Sequence, residues 1–209
     1  MTLDFYTNPM SRGQIARWAL EETGAPYNEH IISYGPEMKG EAYLAINPMG
    51  KVPALKHNGA VVTEAAAICA YLASAFPQSG LAPSAEESAD YHRWMFFAAG
   101  PMESAISFHS AGFKPTKEQT ATFGFGSYEM ILDVVKEKLS RDSYACGERF
   151  AMADVYLGSQ IGFGTQFGTL PKEDVFTAYI ERLANRDAFK KAKARDAALI
   201  AEMQASKSD

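Results

Sequence analysis

The sequence predicts an α/β unit over residues 1–80 followed by an all-helical unit over residues 84–209. Two observations carry this reading. Short strand-like runs alternate with helical stretches only as far as Pro77-Gln78-Ser79-Gly80, and beyond that point the strand signals fade. Every later periodic stretch has helical spacing. A length of 209 residues suits one large domain or two small ones.

The elements follow in order. Leu3 to Tyr6 is a short strand ended by the turn signal Asn8-Pro9. Between Ser11 and Glu22, Ile15, Trp18 and Ala19 recur at i, i+3 and i+4, which is one helix face, and Gly24 and Pro26 stop it. Tyr27 to Ile32 reads as a second strand. Glu37 to Leu44 reads as a short helix ended by Asn47-Pro48. Residues 52–55 and 60–62 are two short strands around the turn His57-Asn58-Gly59. Thr63 opens an alanine-rich helix reaching about Phe76, which completes the order β-α-β-α-β-β-α.

The second half predicts helices over residues 84–111, 116–140, 152–166, 174–184 and 187–204. Gly100-Pro101 lies inside the first, where proline removes a backbone donor and predicts a kink. Gly158, Gly162, Gly164 and Gly168 weaken the third helix, and close helix packing is the favoured reason over room for a ligand. The tail from Gln204 to Asp209 is expected to fray.

Composition excludes several classes. Hydrophobic residues make up 47% and charged residues 22%, which is ordinary for a globular chain and argues against disorder. No apolar run approaches the roughly 20 residues of a membrane helix. The opening MTLDFYTNPM has no basic segment followed by a long apolar core, so no signal peptide is expected. Two cysteines, Cys69 and Cys146, make no disulfide framework, and a reduced, cytoplasmic chain is expected. A net charge of −5 argues against nucleic acid as the partner. His30, His57, His92 and His109 are scattered and neither cysteine has a CxxC mate, so no metal site is expected. Phosphate-binding loops, GxGxxG, HExxH and GxSxG are also missing.

Three places remain for chemistry. Ser11 stands at the mouth of the first helix, where a hydroxyl caps the helix or donates to an anion held at the positive end of the dipole. Tyr6, near the end of the first strand, reads as a core tyrosine with its hydroxyl satisfied. In Asn47-Pro48-Met49-Gly50-Lys51-Val52-Pro53, the proline before a strand is ordinarily trans. A cis bond there would turn the Val52 backbone outward as an edge for a peptide ligand. Thr63-Glu64-Ala65 lies at a strand-to-helix junction. Glu64 suits a first helical turn, and a ligand with an ammonium and a carboxylate could meet both Glu64 and the free amides near Ala65.

In this order and on this frame, these segments resemble the cytosolic glutathione transferases, over essentially the whole chain. NPMGKVPAL (Asn47 to Leu55) and TEAAAICAYL (Thr63 to Leu72) carry the resemblance most specifically. TNPMSRGQIARWALEETG is similar to bacterial members and to the serine-type theta and phi classes. The resemblance implies a thioredoxin-like N-terminal domain that binds glutathione, then a helical domain that supplies most of a second-substrate pocket. It places Ser11 and Tyr6 at the two positions from which the family's classes activate the thiol, and the helix-mouth position favours Ser11. Val52 is placed to pair its backbone with the cysteinyl unit, with Pro53 as a cis-proline. Lys51 and Lys39 match residues that reach the glycyl carboxylate; Lys39 matches less well, since the neighbouring histidine of the phi class is Met38 here. The γ-glutamyl end falls to Glu64 and Ala65, where Ala65 replaces the usual serine and removes one hydroxyl. Losing a hydrogen bond to a charged group costs about 1.5–3 kcal/mol.

The implied activity is conjugation of glutathione to small hydrophobic electrophiles, a detoxification chemistry with no metal. The second pocket is assigned to Met10, Met102, Ile106 and His109, with Phe163 and Phe167 beside them. A homodimer is implied, joining the Thr63 to Phe76 region of one subunit to the 84–111 helix of the other. Alternatives on the same fold are a glutathione-dependent peroxidase, isomerase or ether-cleaving enzyme, or a non-catalytic ligand carrier. Phe150-Ala151-Met152-Ala153-Asp154 resembles the family's buried helix start, and Asp154 is expected to be structural.

Overall fold

A computed structural model describes residues 2–206. Alternating burial gives the first strand, Leu3–Thr7 (β1), two distinct faces: Leu3, Phe5 and Thr7 are buried, Asp4 and Tyr6 half-buried. Gly13–Thr23 (α1) leads to Asn28–Ile31 (β2), which runs parallel to β1, since a parallel return needs a crossover. One helical turn, Glu41–Leu44 (α2), precedes the hairpin of Ala54–His57 (β3) and Ala60–Thr63 (β4). Both hairpin turn residues sit at positive φ, Asn58 at 50° and Gly59 at 91°, which matches the twist of the flanking strands. Ala65–Ala75 (α3) follows. The sheet order is β2-β1-β3-β4, with β3 antiparallel to both its neighbours. The predicted element order and its thioredoxin-like character are the observed ones.

The two faces of β1 serve different ends. Phe5 faces α1, whose Arg17 guanidinium lies 5.3 Å from the centre of its ring. Tyr6 faces the opposite way, onto Ile32, Met38 and Tyr43, with Ile46 and Val52 alongside. The apolar stripe of α1 is the predicted one: Ile15, Trp18 and Ala19 are all buried.

The helical half begins with Ser88–Phe97 (α4), a π-helical turn over Ala98–Met102, and Glu103–Ser110 (α5). The kink expected at Gly100-Pro101 takes the form of this wider turn, which absorbs the missing proline N–H. The single helix predicted over residues 116–140 is two, Lys117–Thr122 (α6) and Tyr128–Arg141 (α7). Gly126 at φ 63° breaks the run, and the Ser127 hydroxyl restarts it by accepting the Met130 N–H at 3.2 Å. Met152–Phe167 (α8), Asp174–Ala184 (α9) and Asp187–Ala205 (α10) complete the chain. The expected fraying from Gln204 falls partly outside the described residues, and within them α10 continues through Ala205. Two glycines of α8 are packing sites: a Cβ on Gly158 would stand 2.2 Å from Leu183 Cδ1, and one on Gly164 2.5 Å from Leu170 Cδ1. Gly162 meets nothing within 4 Å, and Gly168 caps the helix.

By packing, residues 2–80 and 185–206 form one unit and residues 81–184 the other. The helical unit therefore stops short of residue 209, and α10 packs on α1 within the α/β unit. The physical reason is a set of ion pairs: Asp196 with Arg17, Arg195 with Glu29, Lys191 with Glu21, and Arg186 with Glu22.

Asp154 organises the start of α8. Its buried carboxylate accepts the N–H groups of Ala145 at 2.7 Å and Ala151 at 2.8 Å, and the Tyr179 hydroxyl at 2.7 Å. The bond to Ala151 is the carboxylate half of a capping box whose serine or threonine is missing. Burial pushes this carboxyl up to about 6, against the pull of its three donors. Asp154→Ala leaves three buried donors without an acceptor and is expected to lower stability by about 3 kcal/mol or more, read from urea denaturation. A carboxyl whose pKa rises on folding contributes most below its unfolded value near 4, and that contribution is lost as pH climbs through about 6. The stability gap between the wild type and Asp154→Asn should therefore narrow from pH 4 to pH 7.

Candidate functional site

Strand register assembles the candidate site. Tyr6 pairs with Ala54, and Ala54 pairs with Thr63, so one row across the sheet links three strand ends. Beyond this row lie the turn into α1 (residues 8–12), the Val52-Pro53 step into β3, and the Glu64-Ala65 step into α3. The segments singled out from the sequence thus meet at one edge of the α/β unit.

The turn into α1 is held by side chains. The Ser11 hydroxyl donates to the Asn8 carbonyl at 2.7 Å and accepts the Gly13 N–H at 2.9 Å. Its proton is committed locally, as in a capping turn. The same Asn8 carbonyl also accepts the Ser11 N–H at 3.1 Å, so it keeps a partner if the hydroxyl rotates away. Gly13 is needed for this closeness, because a Cβ there would fall 2.0 Å from Thr7 Oγ1 and 3.0 Å from Ser11 Oγ.

Tyr6 differs from its sequence reading. Its ring is half-buried, stacked on His30 at 4.6 Å between centroids, and its hydroxyl makes no hydrogen bond to the described residues. Partial burial and the nearby Asp4 charge raise its pKa, which keeps the phenol protonated and therefore a donor.

The Val52–Pro53 bond is cis, as the resemblance implies. Val52 precedes the β3 ladder, and its backbone has no partner among the described residues. The loop before it is tightly fixed. Asn47 and the Tyr43 hydroxyl both donate to the Lys51 carbonyl at 2.7 Å. Lys39 donates to the carbonyls of Gly50 at 2.8 Å and Met49 at 3.1 Å. Lys39 is thus first of all a loop pin, with one ammonium N–H left over. The exposed Lys51 ammonium pairs with no carboxylate among the described residues.

Glu64 is the N-cap residue of α3, with φ 65° and ψ 121° and no side-chain cap. A non-glycine residue in this region costs about 1–3 kcal/mol, and such strain clusters at ligand sites. It leaves the Glu64 carboxylate exposed while the first amides of α3, at the buried Ala65, point out of the helix end.

Residues 10–75 match the family model of the glutathione S-transferase N-terminal domain. Over these residues the chain is similar to the glutathione S-transferases. It is 29% identical over 153 residues to glutathione S-transferase GstA of Escherichia coli O157:H7, covering 70% of this chain and 74% of that one. It is 28% identical over 145 residues to the maleylacetoacetate isomerase of Rattus norvegicus, covering 66% and 65%. The theta class glutathione S-transferase of Xanthomonas axonopodis pv. citri, solved with glutathione bound, superposes with a TM-score of 0.73 at 26% identity, covering 91% of this chain and 96% of that one.

The residues that the sequence assigned to a second-substrate pocket are dispersed in character. Met10 is 48% exposed at the turn into α1. Met102 departs from expectation: at 1% exposure it is a core residue of the helical unit, closing the π-helical turn. Ile106 is partly exposed, and His109 is exposed with its ring stacked on Tyr128 at 3.8 Å. Phe163 and Phe167 stack at 6.2 Å, with Phe167 exposed. Among the described residues no group of three or more His, Cys, Asp or Glu could hold a metal, and no helix is long and apolar enough to cross a membrane.

Sequence reasoning missed Asn8 and Asn47, which do parallel work. Each stands before Pro-Met and accepts the N–H two residues on, Met10 or Met49, at 3.0 Å. Each donates its amide to a carbonyl further along the chain, Ile32 at 2.9 Å for Asn8 and Lys51, four residues on, for Asn47. The repeated tripeptide Asn-Pro-Met was the available signal. Gly13→Ala tests the turn. It should cost about 1–3 kcal/mol in thermal unfolding, because Thr7 is buried and cannot yield.

Proposed function

We propose that the chain binds glutathione along the edge formed by Ser11, Val52-Pro53 and Glu64-Ala65, and activates its thiol for attack on small hydrophobic electrophiles. One observation carries the reading. A single sheet row brings a helix mouth, an unpaired backbone step and a strained N-cap to one edge. Glutathione needs these three things: a place for its sulfur, a strand-like partner for its cysteinyl unit, and paired charges for its γ-glutamyl end. Lys51, with Lys39 behind it, suits the glycyl carboxylate. The match of residues 10–75 to the family's N-terminal domain supports the same assignment.

Chemistry follows from thiol acidity. An ordinary thiol has a pKa near 8.5 and is mostly protonated at neutral pH, while the thiolate is the nucleophile. On binding, the Ser11 hydroxyl rotates from the Asn8 carbonyl to the sulfur, exchanging a neutral hydrogen bond for a charge-assisted one. The α1 dipole adds to this. The thiol proton passes to solvent water, and the thiolate left behind forms a C–S bond to the electrophilic carbon. In a substitution the leaving group departs with its electron pair. In an addition that pair takes up a proton from water. Catalysis is cytoplasmic and metal-free in this reading, and the subunits pair as a homodimer. Phe96 on α4, 70% exposed, and Val61 on the outer strand β4 suit such a contact. Light scattering near 46 kDa is expected, about twice the chain mass.

A second reading assigns the thiol to Tyr6, favoured by its protonated hydroxyl, which has no hydrogen-bond partner among the described residues. Two variants separate the readings. With Ser11 as donor, Ser11→Ala keeps glutathione affinity but raises the bound thiol's pKa and slows conjugation at neutral pH about tenfold or more. Tyr6→Phe then has the smaller effect. Thiolate absorbance of bound glutathione against pH reads this directly, and the reverse order assigns the role to Tyr6. Glu64→Ala should weaken binding about tenfold by calorimetry, roughly 1.4 kcal/mol. Undiminished affinity in that variant removes Glu64 from the site.

A further inference from the structure

The turn carrying Ser11 has a third support that no sequence motif announces. Its three consecutive carbonyls each accept a side-chain donor. Asn8 is bonded by Ser11 Oγ at 2.7 Å, Pro9 by Gln14 Nε2 at 2.6 Å, and Met10 by the Tyr34 hydroxyl at 3.1 Å. Of the three donors, Gln14 alone is shown tied onward to the C-terminal helix. Lys193 of α10 donates to its Oε1 at 2.7 Å across 179 residues of sequence. Lys193 is held in turn, with its ammonium 5.6 Å from the centre of the Phe189 ring, and Phe189 packs edge-on against Trp18 of α1 at 4.9 Å.

We infer that Gln14 is a positioning residue for the thiol-activating turn, set by Lys193 of the C-terminal helix. This inference rests on the reading of Ser11 given above. An ammonium bonded to an amide oxygen withdraws electron density from the amide nitrogen, which strengthens its N–H as a donor to Pro9. The chain ammonium–amide–carbonyl is short at both links. It fixes the Pro9 carbonyl at the base of the turn, one residue from the carbonyl that the Ser11 hydroxyl leaves when it rotates. A turn held at Pro9 keeps its shape through that rotation, so Ser11 swings without dragging the backbone. Gln14 touches neither glutathione nor the electrophile in this role, and it acts through the backbone alone.

Gln14→Glu separates positioning from tethering. The carboxylate keeps its bond to Lys193, now as an ion pair, yet it has no N–H for the Pro9 carbonyl and meets it acceptor to acceptor. Gln14→Leu removes both bonds. Lys193→Met leaves Gln14 free to reach Pro9 without polarisation, and Lys193→Arg restores a donor. The first measurement is backbone amide exchange at Met10, Ser11 and Gly13 in the chain without ligand. Exchange about tenfold faster in both Gln14→Glu and Gln14→Leu, with thermal stability kept in Gln14→Glu, is the expected result. The second is steady-state conjugation with thiol titration. Both Gln14 variants should lower kcat about tenfold and raise the bound thiol's pKa while KM for glutathione stays near wild type. Lys193→Met should fall between, and Lys193→Arg should recover. Wild-type exchange in Gln14→Glu reduces Gln14 to a tether for α10 and overturns the inference, as does a KM change without a kcat change. If the wild-type chain binds no glutathione, the functional reading fails, and the exchange measurement still decides whether Gln14 holds the turn.

Discussion

The α/β unit turns on one buried cation. Arg17, fully buried on α1, donates through Nε to Asp196 of α10 at 2.7 Å and through Nη1 to Glu29 of β2, with the Tyr27 hydroxyl at 3.3 Å. A guanidinium cannot shed its charge, so burial demands carboxylates around it. Glu29 holds a second cation, Arg195, at 2.5 Å, and these cations keep its carboxyl below the usual range despite burial. The cluster therefore joins α1, β2 and α10 in a single electrostatic knot. Removing one partner of such a knot costs about 3–5 kcal/mol, because it strands a charge in the interior. The turn at the mouth of α1 opens the helix that this cluster anchors.

Around that fixed helix the candidate site is mostly backbone. The Val52 step, the first amides of α3 and the turn into α1 present main-chain groups, and side chains hold them in place. Asn8 and Asn47 close the loops, Lys39 and Tyr43 pin residues 49–51, and Gly13 permits the approach of Thr7 to Ser11. Such preorganisation lowers the ordering cost of binding an extended peptide.

Periodicity made most of the fold legible. Ile15, Trp18 and Ala19 announced the inner face of α1, and Asn58-Gly59 announced the hairpin. Local signals failed where two forces compete over one stretch. The helical spacing across residues 116–140 masked the break at Gly126, and Met102 reads as a pocket residue until the π-helical turn places it in the core. Long-range pairs left no local trace, since nothing near Arg17 or Gln14 points to α10. The helix-mouth serine and the Glu64-Ala65 step were legible because their chemistry depends on position along one element. The free hydroxyl of Tyr6 was not, because it depends on what the opposite side of the sheet lacks.

The twin Asn-Pro-Met turns bear on how such a site changes over time. In each, the asparagine is buried and does the structural work, while the methionine that follows the proline is exposed, Met10 at 48% and Met49 at 62%. Labour is divided within three residues: one position is constrained by two hydrogen bonds, and its neighbour answers only to what lies outside. Substitution at the methionines can reshape the rim without disturbing the frame. A site built this way can change its rim while its frame stays fixed.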